Sequence, residues 1–123
     1  MKLLFNYQYS LVEVGESGKT LTSSGGTTWT TRTAAGVYGL KAVTYANSIL
    51  VAVANFGRIY TSSTATSWNS ITASSNYLTG ITYGNNTFVA VGRVGTLLTS
   101  SDGTSWTSRT SGTSVYLNGV TSR

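Results

Sequence analysis

Cysteine, histidine and proline are absent from this chain of 123 residues, and charged residues make up only 9% of it. Without Cys or His there can be no disulfide framework, no thiolate nucleophile, no imidazole base and no ordinary zinc site. The lack of Cys is neutral about compartment, because it suits any redox environment. Carboxylates are almost as scarce: Glu13, Glu16 and Asp102 complete the set. An acid–base pair or a calcium cage would have to gather nearly all of them in one place. Neither an enzyme nor a bound cofactor is expected from such a chain.

Long apolar runs are missing too. The longest, Ile49-Leu50-Val51-Ala52-Val53-Ala54, falls far short of the ~20 residues a membrane helix needs. Met1-Lys2-Leu3-Leu4-Phe5 opens like a secretion signal, but Asn6, Gln8 and Ser10 break it early, before an apolar region of about 7–15 residues can form. It reads as a first strand. The net charge of +5 comes from eight cations scattered singly. Nucleic-acid proteins show clustered cations interleaved with stacking aromatics, so this distribution speaks against nucleic acid as the partner.

What the chain does have is hydroxyl groups and turn residues. With 22 Thr, 18 Ser, 14 Gly, 8 Tyr and 3 Trp, the composition favours strands and tight turns over helices. These residues are also periodic. Trp29, Trp68 and Trp106 are 39 and 38 residues apart, and each follows a hydroxyl-rich stretch: 22–28, 61–67 and 99–105. Upstream, Val12-Glu13-Val14, Val51-Ala52-Val53 and Val89-Ala90-Val91 keep the spacing, as do Gly18, Gly57 and Gly95. The repeats run over about 1–39, 40–77 and 78–116, within a single repeat domain, 1–123. Leu117-Asn118-Gly119-Val120-Thr121 then reopens the pattern, matching Leu40-Lys41-Ala42-Val43-Thr44 and Leu78-Thr79-Gly80-Ile81-Thr82. An extra strand is expected over 117–123.

Each repeat predicts four strands divided by turns. In the third these are Leu78–Tyr83, Phe88–Gly92, Thr96–Ser100 and Trp106–Arg109, with a turn at Gly84-Asn85-Asn86. The second strand of each repeat is apolar on both faces and must be covered on both sides. Four strands per ~39 residues with a doubly covered sheet is the requirement of a β-propeller blade. On this reading Trp29, Trp68 and Trp106 are structural wedges between blades. Their other use, as stacking platforms for sugars, is weaker.

Gly80-Ile81-Thr82-Tyr83-Gly84-Asn85-Asn86-Thr87-Phe88-Val89-Ala90-Val91-Gly92, followed by Thr99-Ser100-Ser101-Asp102-Gly103-Thr104-Ser105-Trp106, resembles the Asp-box, or bacterial-neuraminidase-repeat-like, propellers of bacterial surface and phage tail proteins. The resemblance covers about residues 10–123 and implies the fold rather than an activity. It is imperfect. The family's Ser-x-Asp-x-Gly-x-Thr-Trp box puts Asp five residues before Trp, whereas Asp102 is four before Trp106, and Gly25 and Thr64 replace it in the other repeats. The arginine triad, acidic pair and nucleophilic tyrosine of sialidases have no counterparts here.

The expected fold is therefore all-β, a propeller with three four-stranded blades per chain plus one extra strand, closed by oligomerisation. Propellers usually have four to eight blades, so a homodimer completing six is the simplest closure. A β-trefoil also has three repeats of this size, but it has no use for the strand at 117–123 or for the Ser-Ser-x-Gly-x-x-Trp hairpin. Glu13 stands where Ala52 and Ala90 stand in the other repeats, which predicts a local difference in the first blade.

For function, the leading expectation is a non-enzymatic structural or docking module, a phage virion or extracellular-surface component whose partners are its own copies and other virion proteins. A lectin-like adhesin is the alternative. Its ligand site would collect Lys19, Arg58 and Arg93 from one set of turns with Tyr38, Tyr77 and Tyr116 from the connections between repeats, since Tyr stacks on sugars and Arg forks onto acidic groups. The plainer role for these tyrosines is packing against the next blade. A reconstructed propeller fragment, made to test assembly, would suit the simple composition but not the degenerate first repeat.

Overall fold

The computed structural model describes residues 2–4, 11–15, 19–23, 30–33, 39–64 and 67–121. Among these residues twelve strands form three antiparallel sheets of four. Sheet 1 holds β1 (Lys2–Leu4), β2 (Leu11–Val14), β3 (Lys19–Ser23) and β4 (Thr30–Thr33). Sheet 2 holds β5 (Leu40–Ala46), β6 (Ile49–Ala54), β7 (Arg58–Ser62) and β8 (Asn69–Thr72). Sheet 3 holds β9 (Leu78–Gly84), β10 (Thr87–Gly92), β11 (Leu97–Ser100) and β12 (Thr107–Ser108). In every sheet sequence neighbours are spatial neighbours, so each repeat folds locally into a meander.

The hairpins within sheets 2 and 3 follow from their turn residues. Asn47-Ser48 joins β5 to β6 and Asn85-Asn86 joins β9 to β10, all four with positive φ. Two-residue turns of this kind match the right-handed twist of the flanking strands, and Asn tolerates the left-handed region better than most residues.

Packing between the sheets explains why the second strand of the repeat is apolar on both faces. Along β6, Leu50, Ala52 and Ala54 join Val14 of sheet 1 in one core cluster, with Leu40, Val43 and Tyr60. Val51 and Val53 point the other way and meet Leu78, Ile81, Phe88, Ala90 and Leu98 of sheet 3 in a second cluster. Sheet 2 is thus sandwiched, and Val51, Ala52, Val53 and Ala54 are all 0% exposed. In sheet 3 the far face is covered less completely: Val89 and Leu97, the repeat counterparts of Val51 and Ile59, are only partly buried, while Val91 beside them is buried.

The strand expected over 117–123 is not formed; residues 117–121 belong to no ladder, and 122–123 lie outside the described residues. The segment is nonetheless docked. The Leu117 amide donates to the Gly92 carbonyl at 3.0 Å, repeating the bond from Leu40 N to Gly15 O at 3.1 Å that joins sheet 2 to sheet 1. The Thr79 hydroxyl donates to the Leu117 carbonyl. Gly119 lies so near sheet 3 that a Cβ on Gly80 would be 3.2 Å from its Cα. A strand needs a hydrogen-bonded neighbour, and no described strand pairs with this segment.

The repeated glycine between the second and third strands has a steric cause. Gly57 and Gly95 have φ of +68° and +65°, and a Cβ on them would overlap the carbonyl oxygens of Ser74 and Thr113. There the connection leading to the next sheet crosses the turn, fixed by Ala73 N to Gly57 O at 2.9 Å and Gly95 N to Val115 O at 2.7 Å. Gly57→Ala is expected to cost well over the ~1–2 kcal/mol of left-handed strain alone, because the connection must also move. Gly112→Ala is the control: φ is +84° but nothing lies within 4 Å, so only the strain applies. Urea denaturation of the two variants measures the difference.

Candidate functional site

The two turns that follow the second strand carry unusual residues at their tips. Phe56 in sheet 2 and Val94 in sheet 3 occupy the same repeat position, with φ of 60° and 57°. Both are about half exposed, at 52% and 51%. A β-branched residue in the left-handed region is a true outlier, and such strain tends to persist where a surface has a use.

Beside these tips stands an aromatic clamp. The Arg93 guanidinium lies 4.4 Å from the Tyr77 ring centroid and 5.4 Å from that of Tyr116. Phe56 meets Tyr77 edge-on, with centroids 4.8 Å apart. Arg93 is held at its root by its own amide, which donates to the Tyr77 carbonyl at 2.9 Å. Tyr116 is 58% exposed, and neighbouring Val115 is 61% exposed. The result is an exposed patch with a guanidinium between two rings and apolar rims. A guanidinium that stacks on a ring can still use its in-plane N–H donors, which suit a carboxylate.

Of the residues singled out by sequence, the structure brings Arg93, Tyr77 and Tyr116 together. Lys19 and Arg58 occupy a different place: each is the first residue of a third strand, β3 or β7, at the position of Thr96, whereas Arg93 matches Asn55. Tyr38 lies outside the described residues. Phe56 and Val94 were missed. Their signal was a bulky apolar residue directly before the turn glycine, where a polar residue would be ordinary.

Trp106 sits against the cluster shared by sheets 2 and 3, its ring 6.4 Å from that of Phe88, and its indole N–H donates to the Gly103 carbonyl at 3.0 Å. Trp68 packs on the other cluster, shared by sheets 1 and 2. Trp29 lies outside the described residues. In the turn before Trp106, Asp102 Oδ1 accepts from the amides of Thr104 and Ser105 at 2.8 and 2.9 Å, and from the Ser100 hydroxyl at 3.0 Å. These bonds, the two backbone ones foremost, lower its pKa from 3.8 to about 2. In sheet 2 the Thr64 hydroxyl takes the same place and accepts from Ser67 N at 3.3 Å. The carboxylate is engaged as a turn brace.

Two concavities lie among the described residues. One, of about 220 Å³, lies along the first strands and is lined by Ala42, Val43, Gly80, Ile81, Gly119 and Val120. The other, of about 330 Å³, is lined chiefly by hydroxyls, with Arg109 held by Thr99 Oγ1 at 2.9 Å. Among the described residues no group of three His, Cys, Asp or Glu side chains gathers to hold a metal.

The arrangement of sheets matches a solved structure, "YCF48 bound to D1 peptide", with a TM-score of 0.73 and 19% identity. That protein is a seven-bladed β-propeller. The three sheets are blades of propeller type. The match covers 88% of this chain and 40% of the other, so the chain spans less than half of that propeller's length. No protein-family model matches the sequence, and no curated protein matches it.

Two outcomes test this geometry. The contribution of Asp102 to stability should be full above pH ~4 and vanish as pH falls towards 2, because a carboxylate whose folded pKa lies below its unfolded value stabilises only while ionised. Melting curves of the parent and Asp102→Asn should therefore differ near neutrality and converge near pH 2. Val94→Gly should leave the fold intact and raise stability by up to about 1 kcal/mol, the relief of left-handed strain less the greater freedom of glycine when unfolded.

Proposed function

We propose that this chain is a non-enzymatic docking module whose blades present the Arg93 clamp to an acidic polypeptide segment on a larger assembly. The observation that carries the reading is the guanidinium stacked between Tyr77 and Tyr116 on an exposed edge rimmed by Phe56 and Val94. A stacked Arg with free donors and an apolar border suits an extended chain that offers a carboxylate flanked by apolar side chains. The matched propeller was solved with a peptide bound, which supports the same class of partner. The repeat resemblance supports a setting on a virion or a bacterial surface, where such modules decorate larger assemblies.

Tyr116, exposed and adjacent to Arg93, favours one second reading, a lectin-like site for an acidic sugar. Arrays of acidic peptides and of glycans separate the two: reproducible binding to acidic peptides supports the first, binding to one class of anionic sugar the second. In either case Arg93→Glu should abolish most binding at low salt and flatten its salt dependence, with the melting temperature little changed. Unchanged affinity by titration calorimetry would remove the clamp from consideration.

A further inference from the structure

The outer part of blade 3 holds a groove that the Arg93 clamp does not use. Its volume is about 330 Å³, and hydroxyls and one guanidinium line it. Phe88 and Leu98 face blade 2, so by strand alternation Thr87 and Thr99 face away from it. Thr107 stands opposite Thr99 in the ladder, and Arg109, two residues on, shares that face. The turn after β11 adds Ser101 and Ser105. Solvent access here does not depend on what lies against the face. In blade 2, whose matching face is packed on blade 3, the counterparts Ser63, Ser67 and Asn69 are all exposed.

The polar groups of the groove are unequally committed. Ser100 is spent: its hydroxyl accepts from the amides of Asp102 and Gly103 and donates to Asp102 Oδ1. Thr87 gives its proton to the Asn85 carbonyl at 3.1 Å. Thr99 Oγ1 accepts from Arg109 Nε at 2.9 Å, which holds the guanidinium in place and leaves the Thr99 proton to give. Among the described residues the hydroxyls of Ser101, Ser105 and Thr107 have no partner. Donors therefore converge from several directions: the Arg109 Nη groups, two strand threonines and two turn serines. Among the described residues no carboxylate and no aromatic ring lines the groove. Asp102 adjoins it, but its Oδ1 is taken up by the turn. A neutral sugar calls for a carboxylate or amide acceptor and a ring to stack on, and a carboxylate ligand needs only the guanidinium fork. In blade 2 the counterparts of Arg109 and Thr87 are Ile71 and Ile49, so the outer strand can be built without the guanidinium.

We propose that this groove binds a tetrahedral oxyanion, the sulfate or phosphate group of a small ligand, at a site separate from the clamp. Arg109 grips one edge of the anion, and Thr99, Thr107, Ser101 and Ser105 donate to its remaining oxygens. The volume lies in the range of small-molecule sites, which leaves room for a sugar ring beside the anion.

Amide NMR shifts at fixed ionic strength test the site with sodium sulfate, galactose 6-sulfate, galacturonate and galactose as probes. Sodium sulfate and galactose 6-sulfate should both move the amides of residues 99–101 and 105–109, and galactose should move none. Tighter binding of galactose 6-sulfate than of sodium sulfate supports the site with a sulfated sugar as its ligand; equal affinity supports it with the free ion. Arg109→Gln should weaken binding of either about tenfold or more, with the melting temperature little changed, since Arg109 is exposed. Several results would overturn the proposal: no shift with any probe up to about 50 mM, shifts centred on residues 92–96 instead, or parental affinity in Arg109→Gln. Binding of galacturonate or galactose as tight as that of galactose 6-sulfate would overturn it too.

Discussion

The structure depends on one constraint: the second strands of the second and third repeats are apolar on both faces, so a sheet built around such a strand must be covered twice. Polar backbone groups are satisfied inside the four-stranded meander, but the side chains of Val51 and Ala52 cannot be buried by one neighbour. Stacking is the consequence, with each blade serving as the core of the next. Twist makes the stack fan outward, since first strands are shared closely while fourth strands, as in β8 and β12, remain exposed. A repeat of this kind is stable by its neighbours rather than by itself.

The second level of organisation is the close crossing of turn and connection at Gly57 and Gly95. Burial sets which faces of the blades meet, and the crossing ties the connection leading onward to the turn it passes. Because the connection runs over the turn, residues far apart in sequence, such as Tyr77 and Arg93, are placed side by side by backbone bonds alone. The clamp is a by-product of the joint that has been given a guanidinium.

Much of the architecture was legible in the sequence, for physical reasons. Period, turn glycines and alternation are local signals, and this fold forms its sheets from local meanders, so the four strands and the Asn85-Asn86 turn came out close to place. The segment at 117–121 shows where this stops. Its residues are those of a strand, yet strand formation depends on a neighbour, which residue types cannot supply. The site was half legible. Arg93, Tyr77 and Tyr116 could be gathered from turns and connections, but Arg58, grouped with Arg93 in one set of turns, opens a third strand at the position of Thr96. Phe56 and Val94 went unread because their meaning lies in a left-handed backbone, signalled only by a bulky apolar residue directly before the turn glycine.

Tyr116 is the residue immediately before Leu117, and one side of the Arg93 cradle therefore hangs on the docking of the segment that follows. Tyr77 holds the other side from a connection already locked between two complete blades. The cradle is asymmetric in its support: one ring sits on a connection between two complete blades, the other on a segment held by the Gly95 N–Val115 O and Leu117 N–Gly92 O bonds and the Thr79 hydroxyl. Anything that tightens the seam lowers the entropy lost when a ligand settles on the guanidinium, and by reciprocity a settled ligand tightens the seam.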